Sequence, residues 1–151
     1  MHKVYLGLGT NLGDKEANLK TAVEEINKRV GEVTSLSAFY ETEPWGFTSE
    51  STFLNAVCCT LTSLTPQEVL ATTQDIERQL GRTRKSVDGI YSDRPIDIDI
   101  LLYDDYRLNT PELTIPHPLM WERDFVMVPL REIAPEINAK AFGIKREGVC
   151  P

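Results

Sequence analysis

The chain is poor in cysteine, in long apolar runs and in positive charge, and each shortage removes a class of protein. It holds 3 cysteines in 151 residues. Cys58 and Cys59 are adjacent inside a strand-like stretch and Cys150 sits in the tail. An odd count without zinc-ligand spacing argues against a disulfide framework or a zinc site, and reads as packing. No stretch reaches the ~18 consecutive apolar residues that suggest a membrane-spanning helix. Met1-His2-Lys3-Val4 runs directly into a strand pattern with no cleavable signal, so a soluble cytoplasmic protein is expected. Lysine plus arginine number 16 against 23 acidic residues, a net charge of −7. That balance argues against non-specific binding to nucleic acid or to an anionic membrane. A polyphosphate partner would need a local cluster of arginines and metal ions. There is no long linker, low-complexity run or internal repeat, and 41% hydrophobic residues suffice for a core. One domain over residues 1–151 is expected, with the tail from about 137 unassigned.

What is present reads as alternating strands and helices. Val4 to Leu8 alternates as a strand, and Gly9-Thr10-Asn11-Leu12-Gly13-Asp14 follows as a loop. Leu19, Ala22, Val23, Ile26 and Val30 recur at helical spacing, and Gly31 suits the end of that helix. Val33 to Tyr40 and Phe53 to Leu61 read as two strands joined by a long polar loop, Glu41 to Ser51. Thr65-Pro66-Gln67-Glu68 supplies an N-cap, a proline at N1 and a glutamate at N3 for a helix reaching Leu80, before Gly81. A charged irregular segment, Arg82 to Arg94, leads into a further strand. A minor strand at Leu113 to Ile115 and a short helix at Val126 to Ile133, with Pro129 near its start or kinking it, complete the pattern. The order β-α-β-β-α-β predicts an α+β, ferredoxin-like fold, an antiparallel sheet with two helices on one face. That fold hosts many unrelated functions, so the site must decide.

The most telling stretch is Arg94-Pro95-Ile96-Asp97-Ile98-Asp99-Ile100-Leu101-Leu102-Tyr103. On a strand, positions i and i+2 share a face, so Asp97 and Asp99 stand side by side while Ile96, Ile98, Ile100 and Leu102 fill the other face. Two such carboxylates repel by roughly 2–3 kcal/mol at an effective dielectric near 20. A cation between them is expected. Oxygen donors of this hardness favour Mg²⁺, which typically binds one or two carboxylates and completes its shell with water and substrate phosphates.

Six pieces occur in order along the chain: Gly9-Thr10-Asn11-Leu12-Gly13, Phe39-Tyr40-Glu41-Thr42-Glu43-Pro44-Trp45-Gly46, Phe53-Leu54-Asn55-Ala56, Gly81-Arg82, Arg94-Pro95-Ile96-Asp97-Ile98-Asp99-Ile100, and Pro116-His117-Pro118. Together, over about residues 3–136, they resemble the 6-hydroxymethyl-7,8-dihydropterin pyrophosphokinases of folate biosynthesis. The resemblance implies transfer of the β,γ-pyrophosphoryl group of ATP to the hydroxymethyl of a reduced pterin, releasing AMP and using two Mg²⁺ ions. The substrates implied are thus ATP and 6-hydroxymethyl-7,8-dihydropterin, and a monomer is expected. A silent nucleotide- or metal-binding regulator of the same fold is the alternative, and it would need no pterin pocket.

Residue by residue, the resemblance makes Asp97 and Asp99 the metal ligands, and Arg82 and Arg94 catalytic groups at the ends of a lid. Arg84 and Lys85 lie in that lid, and Arg123 is a further phosphate contact. Gln74 and Glu77 share a helix face and match nucleotide-side residues. His117 falls on the phosphate and ribose side, with a turn-capping histidine as the bland alternative. Backbone groups around Ile100 and Leu113 to Thr114 would meet adenine. For the pterin, Phe53 and Phe125 would stack on the ring, Asn55 would match its amide edge, and Thr42 and the backbone near Trp45 would complete the pocket. Core packing is the bland alternative for both phenylalanines. Three positions depart from the family pattern. Asp93 stands beside the lid arginine where a small residue or proline is usual, and Glu112 stands where some members are basic. Tyr91 occupies a lid position where some members have tryptophan. An acid next to Arg94 is expected to weaken its hold on phosphate and so ATP binding, whereas Tyr91 bears on how the lid seals the site.

Overall fold

The computed structural model describes residues 1–11, 13–42, 52–81 and 96–137. In chain order these form β1 (His2–Thr10), α1 (Lys15–Arg29), β2 (Glu32–Leu36), β3 (Tyr40–Thr42), β4 (Phe53–Thr62), α2 (Pro66–Gly81), β5 (Asp97–Tyr103), β6 (Leu108–Asn109), β7 (Thr114–Ile115), a 3-10 turn (Met120–Glu122) and α3 (Asp124–Ile133). The main sheet runs β2-β4-β1-β5, with β3 paired to β4, and its pairs are antiparallel. This is the ferredoxin-like order expected from the element pattern. The lid, Arg82 to Arg94 with Arg84, Lys85, Tyr91 and Asp93, lies outside the described residues, as do Trp45 and the tail beyond Ile137.

Local chemistry accounts for the helix starts. Asp14 caps α1 by accepting from the Ala17 N–H at 3.1 Å, after a turn in which Gly13 takes a φ of 61° that a side chain would strain. At α2 the capping box closes both ways: Glu68 N–H donates to Thr65 Oγ1 at 3.2 Å and Thr65 N–H to Glu68 Oε1 at 2.9 Å. Gly81 is the last residue of α2 rather than the residue after it. At the other helix end, Gly31 sits where expected for a reason other than a left-handed turn. A Cβ there would lie 1.9 Å from the Leu61 carbonyl oxygen, so the chain enters β2 pressed against the β4 backbone. Gly31→Ala should therefore destabilise by about 3 kcal/mol, the upper end of ordinary overpacking. Chemical denaturation would measure this, and a loss below about 0.5 kcal/mol would mean that the β2 entry shifts freely.

The sheet has two covered faces. Leu19, Ala22 and Ile26 of α1 and Val69 and Ile76 of α2 pack on Val4, Leu6, Leu8, Ala56, Cys58, Ile98 and Ile100. The second face carries α3, whose Val126, Met127 and Leu130 pack with Met120 and Trp121 on Tyr5, Val57, Cys59, Leu101 and Leu102. Cys58 and Cys59 are thus packing residues on opposite faces, and burial pushes the Cys58 thiol up to about 12, which leaves it unreactive.

Leu102 corrects the expected alternation. The pairing of β1 with β5 runs Leu6↔Ile100 and then Tyr5↔Leu102, so β5 carries one extra residue, a β-bulge. The bulge turns Leu102 onto the α3 face with Leu101, and buried Tyr103 takes the helix side. Two further differences share a cause in tertiary contacts. Val33 to Tyr40 is two strands, because Ser37 leaves the ladder to bond Val57 through both its N–H and its hydroxyl. Gly9 and Thr10 extend β1 rather than opening the loop, since Gly9 is paired on both sides, with Asn55 and Asp97. Pro129 lies inside α3, where the buried packing of the helix offsets the missing N–H.

Candidate active site

One end of the α3 face remains open as a pocket of ≈ 200 Å³, lined by Gly7, Gly9, Thr42, Phe53, Asn55, Asp97, Asp99, Arg123 and Phe125 among others. Strand register explains its contents. Asn55, Gly9 and Asp97 form one row across three strands, and Val57, Gly7 and Asp99 form the next. The central strand contributes glycine in both rows, so the floor is backbone while side chains rise at either end. Glycine in a strand interior marks such a close approach. Gly7 and Gly9 are site residues that the sequence pattern does not single out, although their alternation on one strand face is a signal for them. A Cβ on Gly9 would lie 3.0 Å from Asn55 Oδ1, so Gly9 also makes room for the asparagine amide.

At the Asn55 end the polar geometry is set by β3. Asn55 Nδ2 donates to Thr42 Oγ1 at 2.7 Å, with Asn55 5% exposed and Thr42 half-buried. The amide is thereby held in one orientation, with its oxygen turned away from Thr42. Phe53 lines the pocket and belongs to neither hydrophobic core cluster, so core packing does not account for it. Phe125 does both: it lines the pocket and packs partly against the α3 core. The Arg123 guanidinium lies 5.4 Å from the Phe125 ring centroid, a cation–π contact that holds both side chains at the α3 entrance.

At the other end, Asp97 is half-buried and Asp99 exposed. Both carboxylates line the same pocket as the β-period requires. Among the described residues no group of three His, Cys, Asp or Glu could hold a metal ion. Two carboxylates therefore make a partial oxygen shell, the donor set of an ion that keeps water and takes the rest of its ligands from a phosphate. Such a set suits Mg²⁺ and is unlike a closed zinc site.

The nucleotide-side residues divide. Arg123 lines the pocket, and His117 sits beside it. Burial, first of all, holds the His117 imidazole below its ordinary value; the Asp99 carboxylate pulls it up and the Arg123 guanidinium pushes it down. Its Nδ1 accepts from the Leu119 N–H at 3.3 Å, so the histidine does cap its own turn, as the bland alternative holds. The bulge helps to fix it, since the Leu101 carbonyl accepts from the His117 N–H at 2.9 Å. Glu77 lies against β5, the edge of the sheet order, where its Oε2 accepts from the Ile98 N–H at 2.8 Å, between the two aspartates. Gln74 is exposed on the same helix, outside the pocket. Ile100 is 4% exposed with its side chain in the helix-side core, which leaves only its backbone for a ligand. Thr114 is half-buried on β7, and Glu112 is exposed just before it. Arg82, Arg84, Lys85, Arg94 and Trp45 lie outside the described residues.

The chain is similar to known proteins along nearly its whole length. The chain matches the 7,8-dihydro-6-hydroxymethylpterin-pyrophosphokinase (HPPK) family over residues 5–135. It is 55% identical over 139 residues to the 2-amino-4-hydroxy-6-hydroxymethyldihydropteridine pyrophosphokinase of Porphyromonas gingivalis, covering 91% of this chain and 95% of that one. The Bacillus subtilis protein of the same name is 41% identical over 148 residues, covering 96% and 87%. Among solved structures, Plasmodium falciparum HPPK-DHPS with pterin and p-hydroxybenzoate superimposes with a TM-score of 0.72 at 18% identity, which speaks for the fold. The match covers 91% of this chain and 40% of that longer one. The chain belongs to the 7,8-dihydro-6-hydroxymethylpterin-pyrophosphokinase family, enzymes that transfer a pyrophosphoryl group to hydroxymethyldihydropterin in folate biosynthesis.

Proposed function

We propose that the donor is ATP, that the pterin lies between Phe53 and Phe125 with its amide edge on Asn55, and that Asp97 and Asp99 hold Mg²⁺ at the opposite end of the pocket. The observation that carries this is the single row Asn55–Gly9–Asp97. Two strand spacings separate its ends, roughly 9.5 Å. That is the span of a two-ring heterocycle with a one-carbon arm, lying flat on glycine backbone. The hydroxymethyl oxygen then falls at the carboxylate end.

In the reaction, that oxygen forms a bond to the β-phosphorus of ATP while the bond from the β-phosphorus to the α,β-bridging oxygen breaks. AMP leaves with the bridging oxygen, and the hydroxymethyl proton is lost to solvent. Two Mg²⁺ ions, when bound, neutralise the triphosphate and polarise its phosphoryl oxygens. Arg123 adds fixed positive charge at the α3 side, with Arg82 and Arg94 assigned the same task from the lid side and Arg84 and Lys85 on the triphosphate. Glu77 holds the edge strand that bears the aspartates, while the outer edge of β5 near Ile100 and Thr114, with Gln74 and His117, is assigned to the nucleotide. The protein is read as a monomeric cytoplasmic enzyme in one domain.

Incubation with ATP, Mg²⁺ and 6-hydroxymethyl-7,8-dihydropterin, followed by phosphorus NMR, tests the reading. Pterin-dependent AMP and a pterin diphosphate are expected. Formation of ADP instead would overturn it.

A further inference from the structure

The two walls of the pterin pocket belong to different parts of the chain, β3–β4 on one side and α3 on the other; α3 packs on β4 through the core, and Glu132 ties it to β3 by hydrogen bonds. Glu132 lies near the C-terminal end of α3. Its carboxylate accepts from the Ala38 N–H at 3.0 Å and 3.2 Å through its two oxygens, and from the Tyr40 hydroxyl. Ala38 and Tyr40 flank the start of β3, a strand of three residues that pairs with β4 alone among the described strands.

Both partners of this tie lead straight into the pocket. On β3, Tyr40 and Thr42 share a face, and the register Tyr40↔Asn55 and Thr42↔Phe53 places the tether beside the residues that meet the ring. On α3, Glu132 and Phe125 lie two turns apart on one stripe of the helix, roughly 10 Å along its axis. The stripe that brings Phe125 to the pocket therefore also brings Glu132 to β3. The Tyr40 hydroxyl, pushed up from its ordinary value mainly by the hydrogen bond to Glu132, stays protonated and keeps donating. Among the described strands only β4 pairs with β3, so the bonds to Glu132 bear directly on its distance from α3.

We infer that Glu132 is a positioning residue for pterin binding: by fixing β3 against α3 it sets the gap between Phe125 and the Thr42–Asn55 pair. Glu132 touches no substrate and acts through these walls, and the inference rests on the pterin pocket proposed above. Loss of the tie lets β3 drift from α3, so the ring meets a looser slot while the Asp97–Asp99 end, built on β1 and β5, is unaltered.

The test is steady-state kinetics on Glu132→Ala, Glu132→Gln and Tyr40→Phe, with Asn55→Ala as the control on the pocket itself. Glu132→Ala should raise KM for the pterin about 10-fold, with KM for ATP changed less than about 2-fold. Glu132→Gln keeps one acceptor oxygen and Tyr40→Phe removes one donor, so both should fall between Glu132→Ala and the parent. The double variant Glu132→Ala with Tyr40→Phe should match Glu132→Ala alone, because both changes cut one tie. If Glu132→Ala fails to fold, Tyr40→Phe carries the test, with a rise of about 3-fold in pterin KM. A pterin KM unchanged in the folded variants, or pterin and ATP KM rising together, would overturn the inference while Asn55→Ala still weakened pterin binding. An inert Asn55→Ala would overturn the pocket, and the role of Glu132 with it.

Discussion

Asp97→Asn and Asp99→Asn should each lower turnover by about 100-fold or more while leaving the thermal unfolding midpoint unchanged or slightly raised. The opposite signs follow from one geometry. The carboxylates stand on the same side of β5, over backbone supplied by Gly9 and Gly7, and both face the pocket. At roughly 6–7 Å their repulsion in an effective dielectric near 20 is about 2–3 kcal/mol, which solvent at Asp99 screens to below about 1. Replacing either by asparagine removes that repulsion and keeps the shape of the side chain and one acceptor oxygen, so folding loses little. Catalysis loses a hard anionic ligand. A group of residues whose removal harms activity and spares or helps stability has been placed for function. Turnover measured across a Mg²⁺ titration, beside a thermal melt, separates the two effects. Activity above a tenth of the parent at saturating Mg²⁺ in either variant would end the metal assignment.

The carboxylate pair was legible because strand periodicity is local: i and i+2 share a face whatever surrounds them. The limit of that rule shows three residues later. Leu102 obeys the same alternation in the sequence, yet the bulge opposite Tyr5 and Leu6 puts it on the α3 face. Nothing in Ile100-Leu101-Leu102 announces an extra residue, since all three are apolar and either face would accept them. Gly9 was hidden differently. Beside Thr10, Asn11 and Gly13 it reads as turn chemistry, and only its pairing with Asn55 and Asp97 makes it floor. The capping box at Thr65 and Glu68 was readable because all its atoms lie within four residues. The break between β2 and β3 depends on Ser37 meeting Val57 and Ala38 meeting Glu132, contacts between segments far apart in the chain. The stripe of α3 was apolar enough to predict a helix, but the pattern carries no information on which sheet face it covers.

Asn55→Ala should weaken pterin binding by roughly 10- to 100-fold and leave ATP binding within about 2-fold, because a site built to hydrogen-bond its ligand is left with unpaired polar groups when one partner goes. Asn55 is buried at 5% exposure, its Nδ2 is committed to Thr42 Oγ1, and Oδ1 sits where a Cβ on Gly9 would approach to 3.0 Å. The truncation removes the donor to Thr42 as well as the groups facing the ring edge, so two polar partners lose their bonds at once. Gly9→Ala offers an independent route to the same end. It takes away no polar atom, yet its Cβ forces the Asn55 amide to move and raises the floor under the ring. Pterin affinity should fall by about 10-fold or more, with nucleotide affinity much less affected. Ligand titration by intrinsic fluorescence would give both affinities for each variant. If Asn55→Ala weakened ATP as much as pterin, the row from Asn55 to Asp97 would be a nucleotide groove, and the ring would have to bind elsewhere. If Gly9→Ala bound pterin normally, the ring could not lie on the β1 backbone, and the span from Asn55 to Asp97 would lose its meaning.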